Sequence, residues 1–307
     1  MQAQPVPLDT TYTVASTFKK LVKTYPGIKP VKAQSYADVT EQYDVVYKAI
    51  PHTAYGTRNL LVDVFVPKES SKEKPAVILV HGGGWRSGNK SLNTPMAQAL
   101  AHLGFVVFSV EYRLSLEAKY PAALHDLKAC VRWVRHSAKE YGVDENKIAI
   151  AGSSAGGQMA SLLGVTNGRS ELEDQHTDKI PGTVQAVIDM DGLLDFTDAE
   201  NLALPRTENS ADVFWLEGFY EQNKEKWQQA SALTWVSKQS PPFLFINSSQ
   251  TRFHAGHAQM VKQLNKFGIY NHTVKWNDAP HSFWLFHPWF DPTVNAIEEF
   301  LKHVFNR

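Results

Sequence analysis

Residues 152–156 read Gly-Ser-Ser-Ala-Gly, directly after the apolar run KIAIA at 147–151 and before the helical stretch GGQMASLLGV. A serine in such a G-x-S-x-G turn, between a strand and a helix, is thrust outward in a strained conformation that small neighbours must tolerate. Its hydroxyl is then presented as a nucleophile, the chemistry of acyl transfer. The glycine spacing puts Ser154 at the turn's apex and makes Ser153 the decoy. A second apolar run, AVILV at 76–80, is followed at once by His81-Gly82-Gly83-Gly84-Trp85. Either motif alone is weak, and the bland reading of each is a glycine-rich turn. Both together, each after its own strand and in this order, point to one mechanism.

On these residues the sequence resembles the esterase branch of the α/β-hydrolases that carries HGGGW, the hormone-sensitive-lipase-like and carbohydrate-esterase relatives. The likeness runs from about residue 40 to the C-terminus, through EYRLS (111–115) and YPAALHDLKACVRWVR (120–135). RFHAG (252–256) and PHSFWLFHPWFDPT (280–293) resemble bacterial esterases linked to plant cell-wall polysaccharides, including pectin esterases. The resemblance implies a serine carboxylic-ester hydrolase working through an acyl-enzyme. It implies oxyanion donors at the N–H groups of Gly83, Gly84 and Ala155. The base belongs on the loop after the last strand, where His281 alone of the twelve histidines has the placement.

The acid departs from the family pattern. Its usual slot, after the strand PPFLFINS, reads SSQTRFHAG and holds no carboxylate. Asp278, three residues before His281, is the first candidate. Asp191, at the end of TVQAVIDM, is the second, Asp195 is a weaker third, and a dyad without an acid is the remainder. Arg252 stands near the vacated slot, suited either to a bidentate grip on an acidic sugar such as galacturonate or to a structural ion pair. His254 is a candidate for a sugar hydroxyl, and Trp85, Trp276, Trp284 and Trp289 for stacking on sugar rings, with core packing the competing role for each. The expected substrate is a methyl or acetyl ester on a pectin-type fragment. A broad short-chain acyl esterase is the alternative, followed by a serine peptidase or an inactive binding module.

These residues need a frame to hold them. DVVYKAI and NLLVDVFV suggest an antiparallel opening pair; AVILV, FVVFSVE, KIAIAG, TVQAVIDM, PPFLFINS and HTVKW suggest the later strands. Helical stretches fall between them at 94–103, 121–141, 155–165 and 256–267, with a last one at 292–305. Within 121–141, Pro121 is placed to open the helix, and Leu124, Leu127, Val131 and Val134 recur on one face. Such alternation predicts an α/β-hydrolase fold, a mainly parallel twisted sheet with helices on both faces. Residues 1–40 read as an N-terminal arm and 41–307 as one domain, with a cap insertion at about 195–240, where a long polar, Trp-bearing interval breaks the rhythm.

Lys and Arg number 31 against 31 Asp and Glu, so neither nucleic acid nor an anionic membrane is expected as a general partner. A local cationic pocket remains compatible with that balance. The single cysteine, Cys130, precludes an intrachain disulfide and reads as a buried, inert thiol. No apolar run reaches the length of a membrane span. No H-E-x-x-H or cysteine-rich set calls for a metal or cofactor. The start, MQAQPVPLDTT, lacks a basic and an apolar region and resembles a mature secreted protein with an added Met. Periplasm or secretion is the expectation, with the cytoplasm as the alternative.

Overall fold

The apolar runs become the strands of one sheet, whose strand ends bring the candidate residues together. A computed structural model of the protein describes residues 4–68, 72–174 and 179–306. A two-residue strand β1 (Lys29–Pro30) comes first. The main strands follow as β2 (Val39–Thr53), β3 (Gly56–Pro67), β4 (Lys74–Val80), β5 (Val106–Val110), β6 (Val143–Ser153), β7 (Ala186–Met190), β8 (Phe243–Asn247) and β9 (Asn271–Lys275). The last strand, β10 (Phe286–His287), pairs with β1. The eight main strands lie in the order β2-β3-β5-β4-β6-β7-β8-β9. β2 and β3 are antiparallel, as is β3 with β5, while β4 to β9 run parallel. β5, β7 and β8 are buried along their whole length, as strands covered on both faces must be.

Alternation along each strand divides the core in two. Ala76, Ile78 and Val80 of β4 face one apolar cluster, and Val77 and Leu79 face the other. The helices are α1 (Val14–Leu21), α2 (Thr94–His102), α3 (Ala122–His136), α4 (Ala138–Tyr141), α5 (Ala155–Val165), α6 (Ala199–Leu202), α7 (Ala211–Trp215), α8 (Lys224–Ala230), α9 (His257–Lys266) and α10 (Phe290–Phe305). α1, α2 and α10 pack on the Val77 side, and α3, α5 and α9 on the Ile78 side. The helix expected over 121–141 is interrupted, because Ser137 leaves helical geometry at φ −91° and ψ 11°. Pro121 precedes α3 rather than lying in its first turn. Cys130 is fully buried, and burial pushes its thiol pKa up. No helix among the described residues is long and apolar enough to cross a membrane.

Two segments bear on the site. The arm carries α1, opened by a Thr13–Ser16 capping box, and Phe18 packs on Phe286 with ring centroids 6.3 Å apart. The interval at 195–240 holds α6, α7 and α8, with two of its three tryptophans, Trp215 and Trp227, wholly buried. Trp215 stacks on Trp85 of the HGGGW loop at 4.7 Å and 7°. The polar surface of this interval therefore covers an aromatic layer resting on the glycine loop.

Candidate active site

Ser154 sits between β6 and α5 at φ 54° and ψ −122°, a conformation that side chains rarely adopt. The glycines on either side are sterically required. A Cβ on Gly152 would lie 2.1 Å from the Gly156 carbonyl oxygen, and one on Gly156 would lie 2.2 Å from that of Val80. No side chain fits at either position, so the sharp turn and the G-x-S-x-G pattern are one fact. Ser154 N–H donates to Met190 O at 2.8 Å, tying the turn to β7. Ser153 is buried at the end of β6.

A line of hydrogen bonds runs from this serine. Ser154 Oγ lies 2.9 Å from His281 Nε2, and His281 Nδ1 lies 2.9 Å from Asp191 Oδ2. Asp191 is held in turn: its Oδ1 accepts the Ser248 N–H at 2.8 Å, and its own N–H donates to Ile246 O at 3.1 Å. Burial holds the His281 imidazole below its ordinary pKa, against the pull of Asp191, and the Arg252 charge pushes in the same direction as burial.

The expectation for Asp278 is corrected here. Its carboxylate accepts the Trp289 indole N–H at 3.1 Å and borders a groove with arm residues 24–29, while Asp191 is the partner of His281 Nδ1. D-x-x-H spacing does not set the direction in which a turn points its side chains, and here the turn aims Asp278 into the arm-facing surface. Asp195 is occupied locally, accepting from the backbone and hydroxyl of Thr197 at 2.7 Å each. A fourth carboxylate went unread in the sequence. Asp189, buried on β7, accepts from Gly192 N–H at 2.5 Å and from Ser161 Oγ at 2.8 Å, anchoring the turn after Asp191 to α5. Burial raises its pKa to about 7, opposed by those hydrogen bonds and aided by the Asp191 charge.

The glycine loop folds tightly against the serine turn. A Cβ on Gly82 would come within 2.8 Å of Ser153 O, and one on Gly83 (φ +122°) within 2.0 Å of Ser87 O. Gly84 and Ala155 border the same cavity as Ser154, about 510 Å³ in volume. Gly83 closes the turn through its carbonyl, which accepts from Arg86 and Ser87 N–H. His81 is buried beneath, stacked on Tyr112 at 4.5 Å, and burial drops its pKa to about 4. The arm clasps the loop from outside. Asp9 pairs with Arg86 at 3.3 Å, and Ser87 Oγ donates to Asp9 O and accepts Tyr12 N–H, both at 2.9 Å. Tyr12 also reaches the histidine loop, its hydroxyl 3.4 Å from Ser282 Oγ.

The candidate substrate contacts divide. Arg252 is exposed, borders the cavity and has no carboxylate partner among the described residues. Its guanidinium carbon lies 4.0 Å from the Phe253 ring centroid, and Phe253 in turn lies flat on His281, 3.4 Å away at 9°. Sequence reading missed Phe253, although it sits beside Arg252 in RFHAG. The cavity border stops short of His254, whose Nε2 is enclosed without a partner among the described residues. Trp85 borders the cavity while stacking on Trp215 and donating to Gln158 at 2.9 Å. Trp276 bonds to Thr293, Trp284 meets His281 edge-on at 5.1 Å, and Trp289 holds Asp278. These three do not border the cavity. Its far wall comes from the 195–240 interval, including Leu204, Ser210 and Arg206, the last paired with Asp212 at 2.7 Å.

A mainly parallel sheet with a strained serine after one strand, and a histidine and an aspartate after two others, defines an α/β-hydrolase. Residues 62–253 match the family model BD-FAE, and the chain belongs to that family. Among curated proteins it is similar to Esterase LipC of Mycobacterium tuberculosis, 29% identical over 192 residues that make up 62% of this chain and 48% of that protein. The match thus spans about half of that relative's length. Among solved structures it is similar to a truncated carbohydrate esterase from gut microbiota, with a TM-score of 0.73 and 21% identity over 91% of this chain and all of that one. A bifunctional GH43-CE protein of Bacteroides eggerthii gives the same TM-score at 24% identity, over 86% of this chain and 38% of that one.

Proposed function

We propose that the protein is a serine carboxylic-ester hydrolase, on the strength of the Ser154–His281–Asp191 hydrogen-bond line, whose Ser154 and Asp191 border the cavity. His281 Nε2 takes the Ser154 proton as Oγ attacks the ester carbonyl, and Asp191 holds the Nδ1–H and the resulting imidazolium. The N–H groups of Gly83, Gly84 and Ala155 receive the oxyanion, each contributing about 3 kcal/mol in the transition state. Collapse expels the alcohol, protonated by His281, and leaves acyl-Ser154. Water, activated by the same imidazole, then releases the acid. A panel of nitrophenyl esters and aminoacyl amides tests the class: ester turnover is expected, and turnover of amides only, or of neither, overturns it.

Base catalysis needs the neutral imidazole, and the lowered His281 pKa keeps that form present to lower pH. kcat/KM is therefore expected to rise with pH through a midpoint below the about 6.5 of a free imidazole and then level off. A midpoint above 7 would contradict the burial argument.

For substrate, the reading favoured is a methyl or acetyl ester on a pectin-type fragment, with the 195–240 interval serving as a cap. Its support is an unpaired, exposed arginine at the cavity border and the structural likeness to carbohydrate esterases. A charged hydrogen bond to a uronate is worth roughly 1.5–3 kcal/mol, about 10- to 150-fold in kcat/KM. Arg252→Ala is expected to lower the ratio of rates on oligogalacturonide esters to those on nitrophenyl acetate by about that factor. If the removed group is a methyl ester, the arginine reads a neighbouring free uronate. An unchanged ratio favours the second reading, a short-chain acyl esterase, which the apolar walls at Trp85, Leu193 and Phe253 also suit.

A further inference from the structure

Where the segment after β8 lacks a carboxylate, it builds a stack on the base. The Phe253 ring lies flat on the His281 imidazole at 3.4 Å and 9°, and the Arg252 guanidinium carbon lies 4.0 Å from the centre of the same ring. Two groups this close to one ring centre cannot share a face without colliding, so guanidinium, phenyl ring and imidazole form three layers. Asp191 at Nδ1, Ser154 at Nε2 and Trp284 edge-on at 5.1 Å fix the imidazole against Phe253. Both Phe253 and Arg252 border the cavity.

The charged and titratable groups acting on the imidazole are Asp191 at the end of β7 and Arg252 and His254 after β8. Burial disfavours the imidazolium most, Asp191 favours it, and Arg252 and His254 add to the effect of burial. When His281 takes the serine proton, a second cation therefore forms across the ring from the first. The ring leaves no room for water between them, and no carboxylate among the described residues neutralises Arg252. Its guanidinium is exposed, so a ligand's anion can do so.

We propose that this stack couples the base to the ligand: a carboxylate bound on Arg252 makes His281 a stronger proton acceptor, so an acidic substrate promotes its own turnover. Arg252 then determines specificity through kcat as well as through binding, acting on the base across Phe253. The proposal rests on the esterase reading for its consequence and on the uronate reading for its ligand. The gain is that of one screened charge pair, about 0.3–0.5 pH unit in the His281 midpoint, or about 2- to 3-fold in rate.

The test follows His281 by ¹⁵N NMR in the full chain, its signal identified by its loss in His281→Asn, so that no turnover is needed. Sodium galacturonate is expected to shift the Arg252 Nε–H signal and to raise the His281 titration midpoint by about 0.3–0.5 pH unit. Galactose with sodium chloride at equal ionic strength is expected to do neither. Arg252→Gln is expected to raise the midpoint by about the same amount without ligand and to abolish the response, with Tm little changed because the residue is exposed. The pH profile of kcat/KM on nitrophenyl acetate should move with it. An unchanged midpoint in Arg252→Gln overturns the proposal. So does an Arg252 signal that moves with galacturonate while His281 does not, which would leave the uronate reading standing. An Arg252 signal that galacturonate leaves unmoved overturns both.

Discussion

Ser154→Ala is expected to lower kcat on a nitrophenyl ester by about 10⁶-fold, the scale on which removing a serine nucleophile acts. His281→Ala should cost about as much, and the double variant little more, because the two side chains act as one unit in the proton-coupled attack. The fold should survive the serine change, since the one hydrogen bond of Oγ among the described residues is to His281 and the backbone bond to Met190 is untouched. Ser153→Ala removes one buried hydroxyl at the end of β6 and should leave most of the activity. Single-turnover kinetics with Tm measured beside them decide the matter. A larger loss from Ser153→Ala than from Ser154→Ala would remove Ser154 from the mechanism.

Asp191→Asn is the second large effect, expected at about 10⁴-fold in kcat. The carboxamide keeps the shape but not the charge, and it leaves His281 Nδ1 facing either an amide donor or a weaker acceptor. The Ser248 N–H can still bond to the amide oxygen, so the loss should appear in kcat rather than in stability. Asp278→Asn keeps an acceptor for the Trp289 indole and should change kcat little. Measured side by side, the two variants separate the structural arrangement from the one suggested by D-x-x-H spacing. Equal, small effects would mean that the histidine works without a carboxylate.

The parts of the site that are readable in the sequence are those whose requirements are local. Gly152 and Gly156 are legible because any side chain there would collide with neighbouring backbone, and the HGGG loop is legible for the same reason. β5, β7 and β8 were visible as apolar runs because both of their faces are buried. The acid was not decidable in this way. Asp191 reaches His281 because β7 lies between β6 and β8, with Met190 paired to Ser153 on one side and to Ile246 on the other. That adjacency is a property of strand order, which one-dimensional spacing does not carry. Asp278 was attractive because it is near in sequence, and it faces away because one turn of chain is enough to reverse a side chain. Phe253 was invisible for a related reason: its value lies in landing flat on a ring 28 positions away, where a short helical turn after β8 sets it down.

Rooting the acid on β7 has an effect on the segment it leaves free. In the proposed mechanism the loop after β8 supplies no proton-transfer group; its backbone steadies Asp191 through the Ser248 N–H. Beyond that residue the loop can vary in sequence without altering which groups exchange protons. The loop still touches the base of the proposed mechanism, through the Phe253 ring on His281 and the Arg252 charge that lowers its pKa. On the proposed reading Arg252 meets the ligand, so homologues diverging in ligand preference should differ at 252 while retaining aspartate at 191.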